Sequence, residues 1–230
     1  MMAKAKSKEK PDTQAIVHVD IVSDVICPWC WLGAAYFHKA AEQHDGKIQL
    51  HWRPYMLDPA VPPQGVPYKT YMKNKFGEAG PGSKWTAMRE HLEAAGPEVG
   101  ITFNFSGIKM RPNTLNAHRL LRWAQGQNKG SAMSEALFRA VFTDNLDIGD
   151  SAVLSKLAGN IGLDSALVTE LLASDKDIKA VENDVFHFRS LGVSGVPTFI
   201  YNGQFAVQGA QPVEKHLRAL EEASKLSAHT

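Results

Sequence analysis

The sequence predicts an α/β fold in which a long helical segment interrupts one mixed domain. Three observations lead to this prediction. The first sixty residues have the order strand, helix, strand; more than a hundred residues of helical periodicity follow; and strand character returns before a last amphipathic helix. We therefore assign residues 15–62 and 190–230 to one α/β domain, and residues 63–189 to an all-helical insertion domain.

The first part of the α/β domain is predicted to be a β–α–β unit. Residues 15–23 alternate apolar with polar side chains and are rich in β-branched residues, and residues 47–55 repeat this alternation. Residues 34–41 are helix-prone, and Pro28 suits the first turn of that helix because the first N–H groups of a helix have no internal partner. This order predicts parallel strands joined by a right-handed crossover.

The insertion is marked by a change from strand periodicity to helical periodicity. A proline-rich stretch at residues 57–68 separates the two patterns, and no fixed period indicates a repeat array. Asp150 or Ser151 is a candidate N-cap for one helix, and Asp164 for the next. The apolar positions repeat at helical spacing over residues 115–124, 133–141, 153–161, 167–172 and roughly 175–190, and we expect Leu167, Val168, Leu171 and Leu172 to face inward.

The second part of the α/β domain is predicted to be a hairpin followed by a helix. Residues 198–201 and 204–207 have strand character, and Asn202-Gly203 between them is a strong signal for a tight hairpin turn. Pro212 then opens a helix with one apolar side.

Composition and charge give no support for a nucleic-acid-binding or membrane protein. The 230 residues carry a net charge of +1, which gives no argument for binding nucleic acid or an anionic membrane surface. The chain has no run of about 18 apolar residues, which a membrane-spanning helix needs. Residues 1–14 are polar and charged, and we expect a disordered tail rather than a secretory signal. With only two cysteines, the expected compartment is the cytoplasm.

Those two cysteines, Cys27 and Cys30, form a Cys-x-x-Cys pair between a strand and a helix. Unpaired N–H groups and the helix dipole stabilise a thiolate at a helix start, so Cys27, expected to be exposed there, is the predicted nucleophile. Cys30 follows one turn later and can attack a mixed disulfide. The intervening Pro28 and Trp29 carry no charge, and Trp29 offers an aromatic surface for substrates.

A zinc site is the alternative interpretation of the cysteine pair. Structural zinc usually has four ligands, but the sequence has no second cysteine pair. His38 and His44 follow on the predicted helix, away from its first turn. The β–α–β context favours a redox motif, so we expect neither a metal nor a tightly bound cofactor.

Several stretches together resemble the DsbA family and, within it, the FrnE-like branch. They lie at residues 23–33, 52–55, 111–119, 191–199 and 208–212, and so extend over nearly the whole chain. The resemblance implies a thioredoxin fold with an inserted helical domain. It also implies a cis Val196–Pro197 peptide bond, which would present the free backbone groups of Val196 to a substrate beside the thiols.

The resemblance suggests further substrate-binding residues. In the family, the segment with Asn113 and His118 faces the cleft between the domains, which implies a contact with substrate. The alternative is that Asn113 caps a helix and His118 is a core residue. Asp24 has two interpretations as well, since it could assist proton transfer at the thiols or cap the helix.

Three functions remain open from the sequence. The first is dithiol–disulfide exchange with protein or small-thiol substrates, with glutathione as a substrate or reductant. The second is the glutathione-dependent chemistry of 2-hydroxychromene-2-carboxylate isomerases and kappa-class glutathione transferases, which use this fold with a single catalytic serine. The third is a peptide-binding chaperone without catalysis. Cysteine at both motif positions favours dithiol–disulfide exchange, although the sequence leaves the direction of electron transfer open. Relatives of this fold often form homodimers, so a homodimer is a further expectation.

Overall fold

The computed structural model describes residues 16–227, so the predicted tail at residues 1–14 lies outside the described residues. The chain begins with strand β1 (Val17–Ser23), continues through helix α1 (Pro28–Glu42) and returns in strand β2 (Ile48–Pro54). The two strands are parallel along their whole length. The predicted β–α–β unit is therefore confirmed.

Between β2 and the next strand of this sheet, the chain forms mainly helices. A two-residue strand β3 (Val66–Pro67) precedes helices α2 (Tyr68–Phe76) and α3 (Lys84–Ala95), and β3 pairs antiparallel with β4 (Met110–Arg111). The insertion is thus not entirely helical, because the extended segment before α2 finds a partner in the segment before the next helix. The five helices that follow are α4 (Leu115–Gln125), α5 (Gly130–Phe142), α6 (Ser151–Asn160), α7 (Ser165–Leu172) and α8 (Ile178–Ser190).

The predicted caps and inward faces of these helices are mostly as expected. The Asp150 and Asp164 carboxylates accept hydrogen bonds from the first N–H groups of α6 and α7, which confirms both as N-caps. Val168 and Leu172 of α7 are buried, but Leu167 is 48% exposed, so its predicted inward position is wrong. The short helix α7 buries one narrow stripe with a spacing of four residues, and Leu167 lies beside it.

The chain then returns to the sheet in β5 (Thr198–Tyr201) and β6 (Phe205–Gln208), before the last helix α9 (Val213–Ser227). The strand order is β2-β1-β5-β6, with β5 antiparallel to both β1 and β6. Asn202 and Gly203 both have positive φ, as the predicted tight hairpin turn requires.

One continuous core joins the sheet domain to the helices between β2 and β5. Trp31 of α1 is 2% exposed and packs against Phe103, Phe138 and Phe142, with ring centroids 5.4 to 6.2 Å apart. Its indole N–H donates to Glu135 at 2.8 Å. The helix that begins at the cysteine pair is therefore held from the sheet side and from the insertion. Within residues 16–227, no helix has the length and apolar character to cross a membrane.

Candidate active site

Cys27 is the N-cap residue of α1 and Pro28 is its first helical residue. The Cys27 carbonyl accepts hydrogen bonds from the N–H groups of Cys30 (3.0 Å) and Trp31 (3.4 Å), which closes the first turn. Both cysteines are free thiols. Cys27 is only 5% exposed and Cys30 is fully buried, so Cys27 is much less exposed than the sequence predicts. The reason is that Cys27 opens into a cavity rather than onto the outer surface.

The loop before β5 lies directly opposite Cys27. The Val196–Pro197 peptide bond is cis, and the Val196 carbonyl lies 3.9 Å from the Cys27 sulfur, a weak thiol contact. Pro197 itself is buried and packs against α1 at Gly33, where an added Cβ atom would lie 2.9 Å from the Pro197 Cγ atom. The structure therefore places Val196 beside Cys27 and Pro197 against α1.

The remaining members of the motif, Pro28 and Trp29, are half-buried at the same place. The Trp29 ring packs against His91 of α3, with centroids 5.2 Å apart, and both Pro28 and Trp29 line the cavity. These contacts give Trp29 the position that a substrate-contacting aromatic residue would need.

The environment of Cys30 differs from that of Cys27. Burial raises the pKa of the Cys30 thiol well above its ordinary value, and the nearby Cys27 sulfur raises it further. The nearby Ser23 hydroxyl and Asp24 N–H act against this rise and lower the pKa of Cys30. With Cys30 as a thiol, the buried Ser23 hydroxyl has no acceptor in good hydrogen-bond geometry among the described residues. It is therefore free to donate to Cys30 once that sulfur becomes a thiolate.

Asp24 is a fully buried carboxylate three residues before Cys27. It accepts hydrogen bonds from the N–H groups of Leu57 (2.8 Å) and Ile26 (3.4 Å). His118 lies 3.5 Å away and Arg111 4.0 Å away. Burial raises the pKa of the Asp24 carboxyl, but the contacts with His118, Arg111 and the Leu57 N–H outweigh burial and hold the pKa below its usual value. Asp24 thus joins the segment before Cys27 to the insertion.

Asn113 and His118 lie apart from the thiols. The Asn113 side chain accepts from the Leu115 N–H (2.9 Å) and donates to the Val61 carbonyl (2.6 Å). It therefore satisfies the first N–H group of α4 from one residue before the N-cap position, which is Thr114, and fixes the preceding loop. His118 is 3% exposed, and its Nε2 atom lies 3.0 Å from the Tyr55 carbonyl oxygen. Neither residue lines the cavity at Cys27, so their contacts follow the cap-and-core alternative rather than the substrate-facing one.

The cavity at Cys27 has a volume of about 360 Å³ and a mostly apolar wall. Helix α2 supplies much of this wall, and a larger cavity of about 440 Å³ beside Leu191 and β6 lies away from both cysteines. Sequence reasoning missed the α2 residues, because nothing in their pattern connects them with a motif forty residues earlier. The lining residues that sequence reasoning missed are Tyr68, Tyr71, Met72, Lys75 and Phe76 of α2, together with Met88 of α3 and Phe142 of α5.

The arrangement around the cysteines suits sulfur exchange. Within residues 16–227, no cluster of three or more His, Cys, Asp or Glu side chains has the geometry to hold a metal ion. The described residues bring three groups together. The Cys27 thiol lies at the start of α1 and opens into a cavity, the Cys30 thiol is buried one helical turn later, and the Val196 carbonyl lies opposite Cys27.

Comparison with known proteins gives both relatives and structural neighbours. The uncharacterized protein YwbO of Bacillus subtilis is 28% identical over 214 residues, which cover 91% of this chain and 98% of that protein. A crystal structure of a probable DsbA oxidoreductase from Streptomyces coelicolor is 30% identical, with a TM-score of 0.82 over 90% of this chain and 89% of that one. A 2-hydroxychromene-2-carboxylate isomerase shares the fold, with a TM-score of 0.68 at 15% identity over 92% of this chain and 98% of that one.

A family model extends this similarity to nearly the entire described chain. The model of the DSBA-like thioredoxin domain matches residues 18–221, from β1 to α9. The predicted fold class, a thioredoxin fold with an insertion, is thereby confirmed. The chain belongs to the DSBA-like thioredoxin domain family.

Proposed function

We propose that this protein is a thiol–disulfide oxidoreductase in which Cys27 attacks the substrate and Cys30 resolves the mixed disulfide. The observation that carries the proposal is the unequal placement of the two thiols. Cys27 lies at the start of α1 and opens into a cavity, whereas Cys30 is fully buried and its pKa is raised by burial. A raised pKa keeps Cys30 protonated while Cys27 reacts, and so separates the two roles.

The exchange has two balanced steps. The Cys27 thiolate attacks one sulfur of a substrate disulfide, which forms a mixed disulfide and releases the other substrate sulfur as a thiolate. Cys30 then loses its proton and attacks the Cys27 sulfur, which forms the Cys27–Cys30 disulfide and releases the second substrate thiolate. The substrate gains two electrons and the protein loses two, and the reverse sequence oxidises a dithiol substrate.

The second step depends on ionising a buried thiol. The Ser23 hydroxyl and the Asp24 N–H lie near the Cys30 sulfur and lower its pKa, so both favour its thiolate form. The Val196 carbonyl beside Cys27 marks where the backbone or polar group of a bound substrate would come close to the reacting sulfur.

The proposal includes finer assignments that follow from the sequence. We place the chain in the FrnE-like branch on its motif from Ser23 to Gly33, with a cytoplasmic location and with glutathione as one source or acceptor of electrons. Isomerase or transferase chemistry is the less favoured function, because the residues at both motif positions are cysteines. The likeness to a 2-hydroxychromene-2-carboxylate isomerase is at 15% identity and concerns the fold alone.

Trapping the mixed disulfide tests the proposal. Cys30→Ser keeps the attacking thiol and removes the resolving one, so incubation with oxidised glutathione should leave one stable glutathione adduct at Cys27, detected by mass spectrometry. Cys27→Ser should form no adduct under the same conditions, and both variants should lose insulin reduction. An untrapped Cys30→Ser protein, or a Cys27→Ser protein with full reductase activity, would refute the assigned roles.

A further inference from the structure

We propose that the preferred substrate of Cys27 is a small disulfide or thiol with an apolar, aromatic-sized body and an anionic group held near Lys75 and Arg111. This inference rests on the proposed exchange function and names its substrate class. The chemistry is the same two-electron exchange: the S–S bond of a disulfide substrate breaks as the Cys27–Cys30 bond forms, and two thiol substrates form an S–S bond as the Cys27–Cys30 bond breaks.

The body of the substrate is inferred from the wall of the cavity. Methionine and aromatic side chains of α2 and α3, together with Trp29 and Phe142, surround a space of about 360 Å³ that opens at the Cys27 sulfur. That volume lies within the range of roughly 300–1,000 Å³ typical of small-molecule sites. An apolar body gains free energy on entering such a site, whereas a body rich in amides and charges would lose hydrogen bonds to water without replacing them.

The anionic group is inferred from an uneven distribution of charge. Lys75 and Arg111 line the cavity, and no acidic side chain is among the described residues that do. Both cations pack on the ring of Tyr71, with the Lys75 Nζ atom 5.3 Å and the Arg111 Cζ atom 5.2 Å from its centroid. The Lys75 ammonium also donates to the Tyr71 hydroxyl at 2.9 Å. One tyrosine in the wall of an apolar space thus contacts two positive charges.

The protein balances the two cations to different degrees. The Arg111 guanidinium lies 4.0 Å from Asp24, but Asp24 is shared with His118 and lies outside the cavity wall. In the part of the chain that the structure describes, Lys75 forms no ion pair with a carboxylate. An anion placed near Tyr71 would therefore meet one exposed cation and one buried cation, in surroundings of low polarity where such attraction is screened less than in water.

The charge is tested with three disulfide probes and a matched pair of lysine variants. The probes are dithiobis(nitrobenzoate), which is aromatic and anionic; dithiodipyridine, which is aromatic and uncharged; and glutathione disulfide, which is anionic but polar. Lys75→Met removes the charge and keeps the length of the side chain. Lys69→Met, on the exposed side of the same helix and outside the cavity wall, is the control. Reaction rates of the reduced protein are measured by stopped-flow absorbance for the aromatic probes and by a coupled assay for glutathione disulfide.

We expect Lys75→Met to slow the reaction with dithiobis(nitrobenzoate) roughly three- to fivefold, which is the upper part of the range for one exposed charge interaction. The rate with dithiodipyridine should stay within about twofold of wild type, and Lys69→Met should change neither rate. The inference is overturned if Lys75→Met slows the anionic aromatic probe no more than Lys69→Met does, or slows glutathione disulfide by the same factor. Reaction of wild type with none of the three probes would instead refute the proposed exchange function.

The apolar part has its own variant and control. Phe76 lies at the rim of the cavity and is 40% exposed, so Phe76→Ser removes apolar surface without opening the core. Phe186 of α8 is 72% exposed and lies outside the cavity wall, and Phe186→Ser is the control. Phe76→Ser should slow both aromatic probes several-fold relative to glutathione disulfide. Equal effects on all three probes, or the same effect from Phe186→Ser, would overturn the apolar assignment.

Discussion

Gly33→Ala tests how closely α1 must approach the loop of Pro197. In most helices this substitution is stabilising by roughly 1 kcal/mol, since alanine has the higher helix propensity. At Gly33, however, the added Cβ atom would lie 2.9 Å from the Pro197 Cγ atom and 3.2 Å from the Ala210 Cα atom. The first pair must separate by about 0.5 Å to reach ordinary contact at 3.4 Å.

The cost of that separation can be estimated. Adding a methyl group to a packed site costs roughly 1–3 kcal/mol, so after the gain in helix propensity we expect Gly33→Ala to lower the free energy of unfolding by about 0–2 kcal/mol. The larger effect should be on exchange, because the displaced loop carries the Val196 carbonyl that faces Cys27. Since misplacement by about 1 Å can cost a hundredfold in rate, a shift of half that size should slow attack by roughly tenfold.

The assay compares Gly33→Ala with Gly159→Ala. Gly159 lies near the end of α6, and its nearest neighbour to an added Cβ atom is the Ser165 Cβ atom at 3.5 Å, an ordinary contact. Urea unfolding should show Gly159→Ala equal to or more stable than wild type, with unchanged exchange. If Gly33→Ala is stabilised as much as Gly159→Ala and reacts with oxidised glutathione at the wild-type rate, the argument for a close helix–loop contact is wrong.

Three further predictions follow from buried polar groups. Ser23→Ala removes a donor to the Cys30 thiolate. The release of glutathione from the mixed disulfide should therefore slow roughly tenfold and its pH profile should shift to higher pH, while the rate of attack by Cys27 stays unchanged. An unaltered pH profile of the release step would contradict this role. Asp24→Asn leaves the buried Arg111 charge without its anion and should lower the free energy of unfolding in urea by about 3–5 kcal/mol. Adding Arg111→Met should restore part of this loss. A decrease below about 1 kcal/mol would show that stability does not depend on the pair. Burial lowers the pKa of His216 to about 4 from 6.5, so the unfolded chain binds the extra proton more readily and wild type should lose about 3 kcal/mol as the pH falls from 6.5 to 4. His216→Gln, which can still accept from the Tyr201 hydroxyl, should lose that much less over the same range, and an identical acid profile would refute the assignment.

The parts of the fold that the sequence predicts well are those whose signals are local. The alternation in β1, the Asn202-Gly203 turn and the aspartate caps each depend on residues within a few positions of one another, and each is present as predicted. The Cys27–Cys30 pair belongs to the same class, since its position at a helix start follows from the strand before it and from Pro28.

The parts that were missed depend on contacts distant in the chain. Helix α2 has a polar sequence with a weak apolar pattern, yet it covers Cys27 from about forty residues further on. The paired strands β3 and β4 are two residues long, too short for any periodicity to show. The predicted burial of Leu167 was wrong for a related reason. The pattern of an eight-residue helix does not define which of two adjacent apolar residues, Leu167 or Val168, will be buried.

Ser23 and Asp24 show why the insertion matters to the chemistry of the cysteines. In extended backbone, consecutive side chains point in opposite directions. Here the Ser23 hydroxyl lies near Cys30 and lowers its pKa, while the Asp24 carboxylate lies near His118 and Arg111 of the insertion. Arg111 also packs on Tyr71 in the wall of the cavity. The same cation therefore holds the segment before Cys27 in place and contributes to the space into which Cys27 opens. A change in how the insertion packs would alter the cavity and the surroundings of the resolving thiol together, so that substrate selection and resolution are not independent properties of this fold.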